Sequence, residues 1–175
     1  MSHNRISFSN QELPIKEIEN YYNSIEKSLR SFYVDKNDYF TGYTLSELQD
    51  ELENRLKELY NSTALTMLAA IEAHIRVDFL QRCYKRDRDK LSRAFRDLYK
   101  KYGSNIPSLN EILKLWKKSI SRPAVVSELR SAFNFRHWLA HGRYWVAKLG
   151  KEYDFNTVLT LSIYVQTEFD IDLGA

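Results

Sequence analysis

Apolar positions recur along the chain at spacings of three and four, the period that gathers side chains on one face of an α-helix. Ile15, Ile18, Tyr22, Ile25 and Leu29 make the first such stripe and predict a helix from Pro14 to about Phe32. Val34 to Gly42, rich in Asp, Asn and Tyr, reads as a linker. Leu45, Leu48, Leu52, Leu56 and Leu59 make a second stripe, which suits a coiled-coil seam or, more often, a plain core face. In front of it, Thr44-Leu45-Ser46-Glu47 fits a capping box, in which the Thr and Glu side chains satisfy free backbone N–H groups at a helix start. From Ala64 to Leu80 the chain is apolar almost all round, as expected of a helix at the centre of a bundle. Either Ser62 caps this helix or it runs on unbroken from Thr44.

Further on, Asp87 to Tyr102 predicts a short basic helix with Leu91, Phe95 and Leu98 inward and Gly103 as its stop. Ser104 to Pro107 is a loop. Ser108-Leu109-Asn110-Glu111 is a second capping box, opening a helix through Ile112, Leu115, Trp116 and Ile120. Pro123 suits the first turn of the next helix and Gly142 its end. Lys148 to Tyr153 reads as irregular and Asn156 to Phe169 as a last helix, while Met1 to Leu13 reads as a loose arm. The expectation is therefore one all-α domain over residues 1–175, a bundle of five to seven helices. The Ala64–Leu80 helix should pack centrally against the Val125–His141 helix.

Composition narrows this little. Five glycines and three prolines in 175 residues argue against a turn-rich all-β fold. A single cysteine, Cys83, excludes an internal disulfide and a cysteine-based zinc cage. No run of eighteen apolar residues and no signal-peptide core appear, so no membrane partner is expected and the cytoplasm is the default location. Charge changes the picture more. Ten bases and four acids lie between Arg76 and Lys101, against sixteen bases and nineteen acids elsewhere. Such a segment is either a polyanion footprint or a solvated helix surface with i,i+4 pairs, and the second reading is the more common.

Candidate chemistry concentrates in Arg136-His137-Trp138-Leu139-Ala140-His141-Gly142-Arg143-Tyr144-Trp145. At about 100° per residue, His137 and His141 fall about 40° apart on one stripe, with Arg136 beside it and Ala140 between. Val125, Val126, Leu129, Ala132, Phe133 and Leu139 form the adjoining apolar arc, which also contains Arg136.

The run Arg136 to His141 resembles the Arg, four to six residues, His motif of the HEPN superfamily, and Phe133 to Trp145 resembles its RiboL-PSP-type bacterial branch. The resemblance covers roughly Ser62 to Leu161. It implies a HEPN-like all-α homodimer and a metal-independent endoribonuclease without cofactors, acting on RNA. It also implies a toxin or phage-defence role, with an antitoxin protein as a further partner. By the same resemblance Glu72 is the acid some family nucleases carry on the preceding helix, although a plain ion pair with Arg76, four residues on, accounts for it equally well.

Cleavage by the RNA's own 2′-hydroxyl needs a base, an acid and a cation on the phosphate. Histidine suits the first two roles because its ordinary pKa lies near neutrality. Arginine suits the third because its fork grips two phosphate oxygens. The assignment is His141 as main acid/base, His137 as second acid/base or orienting donor, and Arg136 as clamp. Arg143, Tyr144 and Trp145 would line an RNA cleft, with the aromatics stacking bases. Trp138 is better explained as a core or interface residue. Three rivals stay open. One is zinc held by His137 and His141 with Glu72 or His74 as third ligand. Another is a pair of plain helix-end surface histidines. The last is a non-catalytic HEPN-like module that binds RNA or protein.

Overall fold

The computed structural model describes residues 5–102, 106–147, 149–151 and 153–174, so the expectations placed on Met1 to Asn4, Gly103 to Asn105, Lys148 and Glu152 fall outside it. Its helices are α1 (Ile15–Phe32), α2 (Leu45–Lys85), α3 (Lys90–Tyr102), α4 (Leu109–Trp116), α5 (Pro123–Ala140) and α6 (Phe155–Phe169), with one 3-10 turn at Asp38–Phe40. There is no strand among the described residues. The chain is an all-α bundle.

α2 organises it. It runs 41 residues without a break, so the Ser62 cap does not exist; the Ser62 hydroxyl instead donates to Leu59 O within the helix. The Thr44–Glu47 box opens it as expected, with Thr44 N–H donating to Glu47 Oε2 at 2.8 Å and Glu47 N–H to Thr44 Oγ1 at 3.2 Å. Ala64, Met67, Leu68, Ile71, Ile75 and Phe79 are buried along its centre, and every other α-helix packs against it. Leu45, placed in the second apolar stripe, is 73% exposed; at the first helical turn it lies beyond the reach of α1, and the stripe becomes a core face only from Leu48.

α1 lies antiparallel to the first half of α2. Tyr22 meets the ring of Tyr60, and the Tyr33 hydroxyl donates to Glu51 Oε1 at 3.2 Å. Pro14 offers α1 no side-chain cap. The tail supplies one: Ile15 N–H donates to Leu173 O and Lys16 N–H to Gly174 O, at 2.9 and 3.0 Å. Gly174 sits at φ +63°, and a Cβ there would stand 2.7 Å from Pro14 Cβ, so only glycine fits this contact without a shift. Ahead of α1, Ile6 N–H donates to the Tyr84 hydroxyl at 3.0 Å, and Phe8 packs on the Tyr84 ring.

α3 begins at Lys90 rather than Asp87, because the Asp89 carboxylate accepts from Ser92 N–H and caps the helix there. The Ser108–Glu111 box opens α4, which stops at Trp116 instead of Ile120. Trp116 stacks on Phe169 at 4.5 Å and meets Phe95 edge-on, tying α3, α4 and α6 together. α5 buries Val125, Val126, Leu129, Ala132, Phe135 and Leu139 against α2 and α6. Phe135 thus takes the core place expected of Phe133, which stays half-buried and lies under the Arg136 guanidinium, 5.5 Å from its centroid. Tyr153, in the α5–α6 connection, stacks on Phe135 at 5.5 Å and covers it.

Candidate functional site

The end of α5 builds the site. Ala140 is the last helical residue and His141 the C-cap, so His141 stands one position past the helix. Its N–H still donates to His137 O at 3.1 Å, which keeps the two imidazoles on one stripe, their ring centroids 4.1 Å apart. Both histidines are exposed. Gly142 (φ +75°) and Arg143 (φ +58°) then take left-handed backbone in succession. Gly142 N–H donates to Leu139 O and Arg143 N–H to Trp138 O, the paired bonds of a Schellman stop. This reverses the chain. Trp145 folds back over the helix, where its carbonyl accepts from Trp138 Nε1 at 2.7 Å. The Trp145 ring lies 5.8 Å from His137 and 6.4 Å from His141.

Arg136 leaves the opposite side of the stripe toward α2. Its Nη1 pairs with the buried Oε2 of Glu72, whose Oε1 takes Arg76 Nε at 2.7 Å. Glu72 therefore forms the expected pair with Arg76 and a further one with Arg136. It bridges two guanidinium groups. Arg136 Nε and Nη2 have no partner among the described residues, so the side of the fork that grips two oxygens stays free.

Arg143 is engaged differently from the expectation. Its Nη1 and Nη2 each lie 2.7 Å from a Glu58 carboxylate oxygen, a bidentate pair that spans α2 and the reversing turn. Hydrogen bonding by Arg143 holds the Glu58 carboxyl below its ordinary range, and Glu58 in turn raises Arg143. Tyr144 is 82% exposed and meets Trp145 edge-on at 4.6 Å. A cleft of about 220 Å³ opens beside the imidazoles, lined by Asn134, His137, Trp138, Trp145, Ala147 and Leu149. Of Arg143, Tyr144 and Trp145, only Trp145 lines this cleft. Trp138, half-buried and stacked on Phe135 at 5.9 Å, forms its inner wall.

Asn134 was missed by the sequence reading. It is exposed, its carboxamide has no partner among the described residues, and it stands three positions before His137 and seven before His141, on their stripe. That spacing was the available signal.

Among the described residues the zinc reading finds no third ligand. Glu72 is held by two arginines, and His74 Nε2 lies 3.4 Å from Leu13 O. Among the described residues no group of three or more His, Cys, Asp and Glu could hold a metal ion. In the basic segment, Arg76–Glu72 and Arg82–Asp78 are i,i+4 pairs and Lys85 also acts on the Asp78 carboxyl, whereas the side chains of Arg86, Arg88, Lys90 and Arg93 are exposed without partners among the described residues. No helix among the described residues is long and apolar enough to cross a membrane. Compared with protein-family models, with curated proteins and with solved structures, the chain matches none.

Proposed function

We propose that this chain is a metal-independent endoribonuclease of the HEPN type, working in the cytoplasm as a homodimer. The observation that carries the reading is the exposed imidazole pair, ring centroids 4.1 Å apart, with His137 lining an open cleft. In the reaction one imidazole takes the 2′-hydroxyl proton, and O2′ attacks phosphorus. The P–O5′ bond breaks, and a protonated imidazole delivers a proton to the departing O5′. The products are a 2′,3′-cyclic phosphate and a 5′-hydroxyl. Arg136 Nε and Nη2 would neutralise the phosphorane, with Glu72 as their positioning partner rather than a proton carrier, since both its oxygens are already paired. Because one helix flanks one side of a phosphate, the facing helix of a second copy completes the site. A toxin or phage-defence role, with an antitoxin as partner, extends the same reading, and the neighbouring gene tests it.

One observation favours a binding module instead: Arg136 and Arg143 both spend part of their charge on Glu72 and Glu58. An RNA digest separates the two. Cleavage is expected to persist in EDTA, to leave 2′,3′-cyclic ends and to spare a DNA strand of the same sequence. His141→Ala should slow it ~10²–10⁴-fold, the usual contribution of a general acid/base. Loss of cleavage in EDTA, or full activity of His141→Ala, would overturn the mechanism. Retention of RNA without product would select the binding module.

A further inference from the structure

The turn between α2 and α3 gathers positive charge at one corner of the bundle. From Lys85 to Arg93 there are five bases and two acids. On a solvated surface laced by i,i+4 pairs, Arg93 would have two acids to choose from, Asp89 four positions before it and Asp97 four positions after. Neither pairs with it. The Asp89 carboxylate accepts from Ser92 N–H at 2.9 Å, and Asp97 lies 3.7 Å from Lys100 Nζ. The side chains of Arg86, Arg88 and Lys90 are likewise without partners among the described residues.

The backbone sets how these four bases are presented. Arg86 takes a left-handed φ of +59° and caps α2, so the chain turns before α3 begins. Arg88 follows in that turn. Lys90 and Arg93 stand three apart at the start of α3, on one side of it, while Leu91, Ser92 and Phe95 are buried on the other. All four bases are exposed. Their corner lies roughly 40 Å along α2 from Glu58, at 1.5 Å per residue, and Glu58 is the residue that Arg143 grips beside the imidazoles. It is a surface apart from the cleft. Three guanidinium forks and an ammonium, close together, suit an anion that repeats. Each fork can grip two oxygens of one phosphate. A membrane of anionic lipid also offers phosphates, but a helix that lies on one buries an apolar face as well. Among the described residues, no large hydrophobic side chain from Lys85 to Tyr102 is exposed.

We infer that the α2–α3 corner of Arg86, Arg88, Lys90 and Arg93 is a docking surface for the phosphodiester backbone of RNA. Such contacts position a strand and do not read its bases. The inference takes its ligand from the endoribonuclease reading, but its test measures binding and does not depend on cleavage.

The test is fluorescence anisotropy of the full chain with a labelled 2′-O-methyl oligouridine of about 20 nucleotides, which carries a row of phosphate charges. The methyl group blocks attack by O2′, so the strand stays whole whether or not the protein cuts RNA. Titrations are repeated across salt concentrations. Each neutralised phosphate of a single strand adds about −0.7 to the slope of log affinity against log salt. The combined variant Arg86→Gln, Arg88→Gln, Lys90→Gln and Arg93→Gln should therefore flatten that slope by about 3 and weaken binding on the order of 10²–10³-fold in about 0.1 M salt. A matched variant, Lys16→Gln, Lys27→Gln, Lys36→Gln and Lys57→Gln, removes the same charge from exposed lysines of α1, its connection and the first half of α2. It should keep a slope close to that of the wild type. All eight positions are exposed, and circular-dichroism melts check that both variants fold. No binding of the strand by the wild type, an unchanged slope in the corner variant, or equal losses in the two variants would each overturn the inference. Binding to phosphatidylserine vesicles with none to the strand would overturn it too, and would select a membrane surface. A protein that binds the strand through the corner but leaves unmodified RNA intact keeps the docking surface and loses the ribonuclease; one that cuts unmodified RNA while its corner variant binds like the wild type does the reverse.

Discussion

Glu72 holds Arg76 and Arg136 together, and its removal would leave two guanidinium groups facing each other at the edge of the core. Hydrogen bonds to charged groups contribute about 1.5–3 kcal/mol each. Glu72→Ala is therefore expected to lower unfolding free energy by about 2–4 kcal/mol in urea titrations. Glu72→Gln, which keeps an acceptor, should cost less than Glu72→Ala. If the two variants unfold alike, the bridge has no net value. At this scale the sequence was legible in part. The Arg136–His137–His141 cluster stood out because its residue types are rare on one stripe. Asn134 did not, since an asparagine on a helix is ordinary until a pocket opens beside it. The exchange of Phe133 for Phe135 was hidden for a similar reason: both lie near the same arc, and the ring that covers Phe135, Tyr153, comes from the following connection.

Among elements, the starts were easier to read than the ends. Both capping boxes stand where four residues announced them, because a cap is satisfied locally. The continuation of α2 through Ser62 depends on tertiary packing, which no local pattern contains, whereas the start of α3 is set locally, by the Asp89 carboxylate on Ser92 N–H rather than by Asp87. At α4 the cap is tied to its surroundings. Glu111 accepts from Ser108 N–H at 3.2 Å and also from the Tyr102 hydroxyl, and this second bond is the main cause holding its carboxyl below the ordinary value of 4.5. A lowered carboxyl contributes stability that is present above its unfolded-state value and is lost as pH falls through the folded one. Ser108→Ala is expected to cost about 1 kcal/mol at neutral pH, as N-cap losses do. The gap to wild type should narrow in acid below the ordinary carboxyl range, where the Glu111 half of the box fails in both proteins. Thermal melts of the pair across pH 3 to 7 read this directly; a gap that widens in acid would contradict it.

Across the whole molecule, α2 reaches roughly 60 Å at 1.5 Å per residue, yet its support is uneven. Between Leu45 and Glu58 its buried positions are Leu48 and Leu56 alone, while Thr63 to Cys83 is lined with them. The first half leans on α1, and at the far end of α1 Phe32 and, in the connection that follows, Tyr39 and Tyr43 form an exposed aromatic group. Near its start α1 is fastened to the tail by the carbonyls of Leu173 and Gly174. Burial of this kind sets the free energy of local opening. One continuous helix should therefore open in two stages. Amide hydrogens from Leu48 to Leu56 should exchange with solvent at a free energy well below that of global unfolding. Those from Ile71 to Phe79, behind Glu72 and its two arginines, should exchange only when the whole chain unfolds. Hydrogen-exchange mass spectrometry would show the step within a single helix, and uniform protection along α2 would rule it out. The long helix then acts as a stiff base for the imidazoles at one stretch and as a fraying hairpin arm at the other.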